Sequence, residues 1–382
     1  MTATAGRGTH LLRAEPALAK LASIDWVLVI VSVVLAGVGL AAINSATQAA
    51  PDGTAFVVKQ LVFLLAGLAS MFFLAFIDYR EWRNFLGLLV LAAVLMLLLV
   101  LSPLGTEVKG TKGWFQFGFV SLQPAEFTKL AVIVTLAAVF TGRHASAEAP
   151  RIAGGLILLA VFCALVLAQR ETGSVLVYCF TALGIFLVAG VPIRVLLLLI
   201  ASAVVVFGLA FTSGVLPAYQ KDRLTTFVDP DADPRGDGYN QRQSVTAIGS
   251  GGLYGRGYLE GPQTQLGFLP EQQTDFIFAS VGEENGFVGG VTIIVLEGMV
   301  LLRVFRNGQL ARDGFGTLIC VGVFTYLTFQ TFQNVAMTVR LMPITGVPLP
   351  FVSAGGSSLL TTFAALGLVQ SIAVHRHRGS PT

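Results

Sequence analysis

The sequence predicts an all-α polytopic membrane protein of about ten transmembrane helices, with a large extracytoplasmic loop between helices 7 and 8. Three observations carry that prediction. The chain of 382 residues is 54% hydrophobic and only 12% charged, whereas soluble domains carry about 25% charged residues. Ten apolar runs approach or exceed the roughly 17–25 residues that cross a bilayer: 24–44, 56–77, 84–102, 124–141, 152–169, 173–190, 193–215, 276–304, 314–333 and 357–374. The basic residues are also asymmetric. With the N-terminus inside, the tails and short inner connections hold thirteen Lys and Arg, among them Arg7, Arg80, Arg143, Arg303 and Arg378. The short outer connections hold five: Lys59, Lys109, Lys112, Arg170 and Arg340. By the positive-inside rule both termini then face the cytoplasm. Long loops obey that rule poorly, so 216–274 is left out of the count, and it falls outside.

The elements follow in chain order. Residues 1–22 are a cytoplasmic N-terminal tail, polar and Ala-rich over 1–20 and expected to be disordered there; 23–375 form a single transmembrane domain, and 376–382 a cytoplasmic C-terminal tail. No run is followed by a cleavable-signal pattern, so 24–44 is a retained helix. After the runs 56–77 and 84–102 comes PLGTEVKGTKGWFQFGFVSL. There Trp114 and Phe115 read either as an interfacial aromatic belt or as an amphipathic flap that handles a lipid substrate. Pro124 suits the first turn of the fourth helix. Glu126 and Lys129, three apart, share one helix face near its outer end, as a local ion pair or as a substrate-handling pair. The fifth and sixth runs are joined by QRETGS, from which Arg170 and Glu171 project. Cys163, Cys179 and Cys320 lie in apolar runs and read as small buried hydrophobes, not as a disulfide framework or metal set. His10, His144, His375 and His377 lie in tails or an inner connection, with no carboxylate at ligand spacing.

The loop 216–274 is dense in Gly, Pro and Asp, which marks many turns, and its aromatic residues argue that it packs on the membrane domain. Gly249, Gly251, Gly252, Gly255 and Gly257 lack the strand-then-helix context of a phosphate cradle. Asp229, Asp231, Asp233 and Asp237 lack calcium-loop spacing. Asp275 then stands at the doorstep of the run beginning at Phe276, where lipid meets water. It suits either an N-cap or chemistry on a substrate with an apolar tail and a polar head. Glu283 and Glu284 lie deeper, where a lone carboxylate is costly, and are expected to pair with Arg or Lys of neighbouring helices. Ala279, Gly282, Gly286 and Gly290 form a small-residue stripe that reads as helix packing. The loop RLMPITGVPLPFVSAGGSS between the last two runs is apolar and nonhelical, so it must be buried in protein or line a cavity. Arg340, its one charge, is a natural partner for a phosphate or for a helix carboxylate. The net charge of +3, spread along the inner surface, implies no nucleic acid.

With those residues laid out, the chain resembles the SEDS family (shape, elongation, division and sporulation), and within it the RodA branch more than the FtsW branch. The resemblance covers about 24–374 and rests on KGTKGWF, QPAEFTKL, QRETGS, DPRGDGYNQRQSVTAIGSGGLYGRG, GPQTQLGFLPEQQTDFIFASVGEENGF and MPITGVPLPFVSAGGSS. It implies a GT-C-like fold and a peptidoglycan glycosyltransferase that polymerises lipid II with a class B penicillin-binding protein, a transpeptidase, among the membrane proteins of the elongation machinery. It implies that Asp275 is catalytic, and that Glu126, Lys129, Trp114 and Glu171 occupy functional positions; Glu271 of the Asp275 block joins them as a supporting residue. Where the family pattern has His, Ser, Pro, Asp and an aromatic residue, this chain has Gln273, Ala125, Arg170, Glu171 and Ala354.

The chemistry expected is attack of a sugar hydroxyl on the donor's anomeric carbon, inverting it, with Asp275 as general base. Lys129 and Arg340 are candidates to offset the charge developing on the pyrophosphate. A divalent cation, Mg or Mn, held by Glu126 and Glu171 is a further expectation. The rival readings are a lipid II flippase or transporter, which would place charges at the midplane with inverted repeats, a scaffold, and a septal FtsW-type polymerase. No Ser-x-x-Lys block stands in an extracellular domain, so crosslinking is expected from the partner, docked beside the last two spans near Gly346, Gly355 and Gly356.

Overall fold

All ten apolar runs are helical in the computed structural model, which describes residues 17–48, 50, 53–108, 110–118, 120–142, 149–213, 218–229, 233 and 236–376. Most of the tails, and with them Arg7, Arg13, His10, Lys109, Arg143, His144, Asp231, His377 and Arg378, lie outside the described residues. Ala17–Ala22 forms a short helix, α1, so at least this part of the expected disordered tail is ordered. The spans are α2 (Trp26–Thr47), α3 (Gly53–Phe76), α5 (Leu86–Leu101), α6 (Pro124–Val139), α7 (Ala149–Ala168), α8 (Thr172–Val188), α9 (Ile193–Thr212), α13 (Ile277–Gln309), α14 (Gly314–Thr338) and α15 (Gly356–His375). Between α3 and α5 lies the short α4 (Glu81–Asn84). Six of the spans are long and apolar enough to cross a membrane outright. Local chemistry sets several starts: Asp25 caps α2 by accepting from Leu28 N–H at 3.2 Å, Pro124 opens α6, and Asp313 caps α14 through Gly316 N–H at 2.9 Å.

The stretch between α5 and α6 adds strands to this helical fold. β1 (Thr106–Val108), β2 (Thr111–Phe117) and β3 (Val120–Leu122) form an antiparallel sheet in that order, with Thr106 opposite Trp114 and Phe115 opposite Leu122. Its β-branched and aromatic residues favour the pleat. The sheet marks one end of the bundle; Asp25 lies at the other.

α15 is the central helix. It is buried along 94% of its best apolar window, packed among α3, α6, α13 and α14. Small residues permit this: a side-chain carbon on Gly367 would stand 2.9 Å from the Met71 backbone, and one on Gly67 2.9 Å from Phe363. Gly356 sits against Phe63 and Gly346 faces Asp275. Of the two last spans expected to dock the partner, α15 thus offers almost no lipid-facing surface, whereas α14 exposes Thr328 and Phe332.

The long loop is built from α10 (Ala218–Val228), α11 (Asp237–Gly251) and α12 (Pro262–Gln265). It packs on the membrane domain as expected: the Tyr258 hydroxyl lies 3.0 Å from Asn44 Nδ2, and Gln272 Nε2 donates to Ala46 O at 2.6 Å. Its Gly-rich segment meets α13 where that helix is broken. Gly286 takes φ 66° and ψ −163°, a conformation open essentially to glycine alone. Four of the backbone groups at the break are met by the loop. Arg256 and Gly257 N–H donate to the Glu283 and Glu284 carbonyls at 2.9 and 3.0 Å, while Phe287 and Val288 N–H donate to the Gly252 and Leu253 carbonyls at 2.9 and 3.1 Å. Thus the glycine cluster plugs a helix break, and Gly286 is the break itself besides being part of a packing stripe. Gly282 does pack, against Ile248 of α11.

Candidate active site

Asp275 lies on the turn that leads into α13. The N-cap position of that helix belongs to Phe276, which makes no side-chain cap, so Asp275 stands one residue outside it. The turn is wound on the Glu271 carbonyl, which accepts from the N–H groups of Thr274, Asp275 and Phe276 at 3.1, 3.1 and 3.3 Å. Glu271 itself has φ 55°, a strained value for a residue with a side chain. Thr274 Oγ1 donates to the Glu271 side chain at 3.2 Å.

Three further elements clamp this turn. Asn334 Nδ2 on α14 donates to Asp275 O at 3.0 Å and to Val347 O at 2.9 Å. Ser353 Oγ donates to Thr274 O at 2.6 Å, and Ala354 N–H to Gln273 O at 2.8 Å. Gln60 of α3 donates through Nε2 to Ser353 O at 3.1 Å and accepts from Gly355 N–H at 3.2 Å. Asp275 is half-buried, and a carbon added to Gly346 would stand 3.6 Å from its Oδ2.

The loop 340–355 joins this turn to a second polar cluster. One residue from Gly346, the Thr345 carbonyl lies 2.7 Å from where a side chain on Gly173 would begin. Gly173 lies in the first turn of α8, whose N-cap position is Glu171. The Glu171 carboxylate accepts from Ser174 Oγ, and its second oxygen is buried without a partner. Burial pushes the Glu171 carboxyl above the ordinary carboxylate range; the nearby Glu126 carboxylate adds to this, while Ser174, Gln123 and Lys129 oppose it. Lys129 Nζ donates to Glu126 Oε1 at 2.6 Å, both groups are nearly inaccessible, and Lys129 stands 5.4 Å over the Tyr326 ring. Glu126 Oε2 and Gln169 Oε1 are buried without partners, like the second oxygen of Glu171. β2 covers this cluster: Lys112 N–H donates to Gln169 O at 3.2 Å, and Gly113 adjoins the Gln169 and Glu171 side chains. Trp114 follows on the same strand, half-buried, its carbonyl accepting from Thr106 Oγ1 at 3.0 Å.

The fold thus brings Asp275, Glu271, Glu126, Lys129, Glu171 and Trp114 to one end of the bundle. Arg340 lies two residues past α14 at that end with φ 62°, exposed. The rest of its loop is largely buried in protein. Among the described residues, Glu283 and Glu284 do not pair with Arg or Lys, contrary to expectation. Glu283 accepts from Gln263 N–H, Thr264 N–H and Thr264 Oγ1 at 2.8, 2.8 and 2.7 Å, and Glu284 from Ser45 Oγ and Gln265 Nε2. Each carboxylate ties the long loop to the bundle. Sequence reasoning missed Gln60, Asn334 and Ser353. The polar run Gln330, Gln333, Asn334 within an apolar helix is the signal that points to α14.

The chain as a whole has relatives among known proteins. The profile of the FtsW/RodA/SpoVE family, described as cell cycle proteins, matches residues 20–378. The probable peptidoglycan glycosyltransferase FtsW of Geobacter metallireducens is 34% identical over 367 residues, covering 94% of this chain and 96% of its own. The peptidoglycan glycosyltransferase MrdB of Escherichia coli K12 is 34% identical over 314 residues, covering 81% of this chain and 83% of its own. A chain from a solved peptidoglycan synthase complex, described as coordinating polymerization and crosslinking, superposes with a TM-score of 0.80 at 32% identity, over 93% of this chain and 99% of that one.

Proposed function

The chain belongs to the FtsW/RodA/SpoVE family, and from that premise we propose that it is a peptidoglycan glycosyltransferase that polymerises lipid II at the outer face of the cytoplasmic membrane. The observation that carries the reading is the placement of Asp275. It is a half-buried carboxylate whose backbone is held by Asn334 and, through its neighbours, by Ser353 and Ala354, at the end of the bundle that also holds Lys129. A base held this way takes the proton of the acceptor's sugar hydroxyl as that oxygen attacks the donor's anomeric carbon, for a typical contribution of about 10²–10⁴-fold. The carbon inverts and the lipid pyrophosphate leaves. Lys129 supports the departing charge, and exposed Arg340 meets the head group at the mouth. Glu271 positions Asp275 through the turn, and the sheet bearing Trp114 lies along the lipid substrate.

The orphaned oxygens of Glu126, Glu171 and Gln169 fit a hard divalent cation, Mg or Mn. Glu126 and Glu171 would hold it, and it would offset pyrophosphate charge there. A class B penicillin-binding protein is the partner that crosslinks the product. Cell elongation is the proposed role; the equal identity to an FtsW and to MrdB makes septation the second reading, which depletion separates, since loss of elongation rounds cells and loss of septation filaments them.

The test is purified protein with lipid II and gel analysis of glycan strands, with Asp275→Asn beside wild type. Asn holds the same shape without the base, so polymerisation falls at least about 10²-fold with folding unchanged. Near wild-type synthesis by the Asn variant would sink the general-base assignment.

A further inference from the structure

At the end of the bundle away from Asp275, the turn from α1 into α2 meets α13 and the end of α15 around a cavity of about 240 Å³. The proposed reaction uses none of its residues. Arg303, on its α13 wall, comes seventeen residues past the break at Gly286, about 26 Å at the helical rise of 1.5 Å per residue. The volume far exceeds the roughly 30 Å³ of one water. It falls short of the roughly 300–1,000 Å³ of sites for drug-sized ligands. A small ion or a single head group is the size that fits. Among the lining side chains are Ser23, Asp25, Trp26, Arg303, Asn307 and Arg376.

Asp25 is the one carboxylate in that lining, and it is buried and already engaged. Its Oδ1 accepts from Leu28 N–H at 3.2 Å and from Arg303 Nη2 at 2.8 Å; its Oδ2 accepts from Arg303 Nε at 2.9 Å and Asn307 Nδ2 at 2.8 Å. Its backbone is fixed to Gln370 of α15: Asp25 N–H donates to Oε1, and Nε2 donates to Asp25 O, each at 2.9 Å. These bonds orient the Arg303 guanidinium from one edge only. Its Nη1 closes no hydrogen bond among the described residues, and a quarter of the side chain is exposed. A guanidinium held on one edge by a carboxylate keeps preset donors for an anion on the other. Arg376 brings a second guanidinium to the same cavity. Two arginines against one carboxylate leave one positive charge, which favours an anion and disfavours a cation. Trp26 sets the depth: it is 46% exposed, with its ring 6.3 Å from that of Phe72 on α3, as suits a tryptophan at the lipid–water boundary.

We propose that this cavity binds a phosphate group, held by Arg303 and Arg376, at the membrane surface away from the Asp275 end. The phosphate belongs to a lipid head group or to a soluble phosphate, and the Trp26 boundary favours the lipid. The site rests on no step of the glycosyl-transfer reading and stands or falls without it.

Three probes test it on the full chain in neutral detergent: phosphatidylglycerol, the diacylglycerol of the same chains, which lacks the phosphate, and inorganic phosphate against chloride at equal ionic strength. Bound lipid is read by native mass spectrometry and stabilisation by thermal melting. Phosphatidylglycerol should stay bound and raise the melting temperature, and diacylglycerol should do neither. A response to phosphatidylglycerol alone identifies a lipid as the source; stabilisation by inorganic phosphate identifies a soluble ion as sufficient. Arg376→Gln should weaken the response several-fold. Arg303→Lys keeps a cation beside Asp25 but loses the second edge of the fork. It should weaken the response likewise, with a ligand-free melting temperature near that of wild type. Arg306→Gln, at an exposed position outside the cavity, should leave the response unchanged. The proposal is overturned if neither phosphate probe binds or stabilises, or if diacylglycerol binds as well as phosphatidylglycerol. It is also overturned if Arg306→Gln weakens the response as much as Arg376→Gln, which would reduce the effect to general surface charge.

Discussion

At the scale of single residues, the two charges of QPAEFTK are the sharpest case. Their spacing of three put them on one face, and the structure closes them into a buried pair at 2.6 Å. Removing one partner of a buried pair leaves an uncompensated charge, at a cost of about 3–5 kcal/mol. Glu126→Gln and Lys129→Met should therefore each lower the melting temperature and the rate of glycan synthesis. The double variant should recover stability but not synthesis; recovered synthesis would make the pair purely structural. Glu171 gives a prediction with the opposite sign. Its folded-state pKa stands above the ordinary carboxylate range because it is buried. The stability linked to it is thus complete below its unfolded pKa and is lost as pH rises through its folded pKa. Glu171→Gln removes that loss, so melts across pH should show a variant at least as stable as wild type near neutrality, with a flatter profile, while synthesis falls. A variant less stable at every pH would show that the carboxylate is held in place by favourable contacts instead. Asp275, Glu126 and Lys129 were legible because their setting is local: a helix start, a face, a lipid boundary. Asn334, Gln60 and Ser353 were not, because each acts across a gap in sequence of tens to hundreds of residues that no local pattern encodes.

At the scale of elements, the helices were legible from apolar run length alone, but breaks and plugs were not. Gly282, Gly286 and Gly290 recur every four residues, and that period reads as packing whether or not the helix continues. Only the pairing of 252–257 with 283–288 shows that Gly286 ends one helical stretch and starts another. A side chain at Gly286 would overlap the Gly255 and Leu253 backbone and be forced to φ 66°. Gly286→Ala should cost at least the roughly 1–3 kcal/mol of such backbone strain, seen as a lower melting temperature and faster proteolysis of the 252–257 loop. Gly298 on the same helix meets nothing within 4 Å, so Gly298→Ala should be neutral or stabilise by up to about 1 kcal/mol. Equal effects of the two changes would mean that the break is not required. The sheet of 106–122 shows a different blind spot. Its strands are three to seven residues long, too short for alternation to separate them from an amphipathic flap.

At the scale of the whole molecule, the count of spans was legible, but their arrangement was not: ten similar apolar runs do not say which is central. α15 takes that place because its small residues let α3 approach at backbone distance, and this leaves α14, of the last two spans, as the expected docking surface for a class B penicillin-binding protein. A partner helix needs a lipid-facing groove. α13 and α14 pack side by side, and both expose apolar residues. Val295, Met299 and Leu302 form an exposed stripe on α13, and Thr328 and Phe332 sit one turn apart, exposed, on α14. Phe305 and Phe324, with ring centroids 5.9 Å apart, close the seam between the two helices. Small, partly exposed Gly298 allows close approach there. Photocrosslinkers at Met299 and Phe332 should capture the partner in cells and in a complex purified from mild detergent, and that complex should make more glycan than the chain alone. Crosslinkers at Leu88 of α5 and Ile157 of α7, which are more exposed than Met299 and Phe332, should not. Capture confined to α2, α3 and α5 would place the partner away from the α13–α14 seam. Capture from buried α15 positions would mean that the bundle opens when the partner binds.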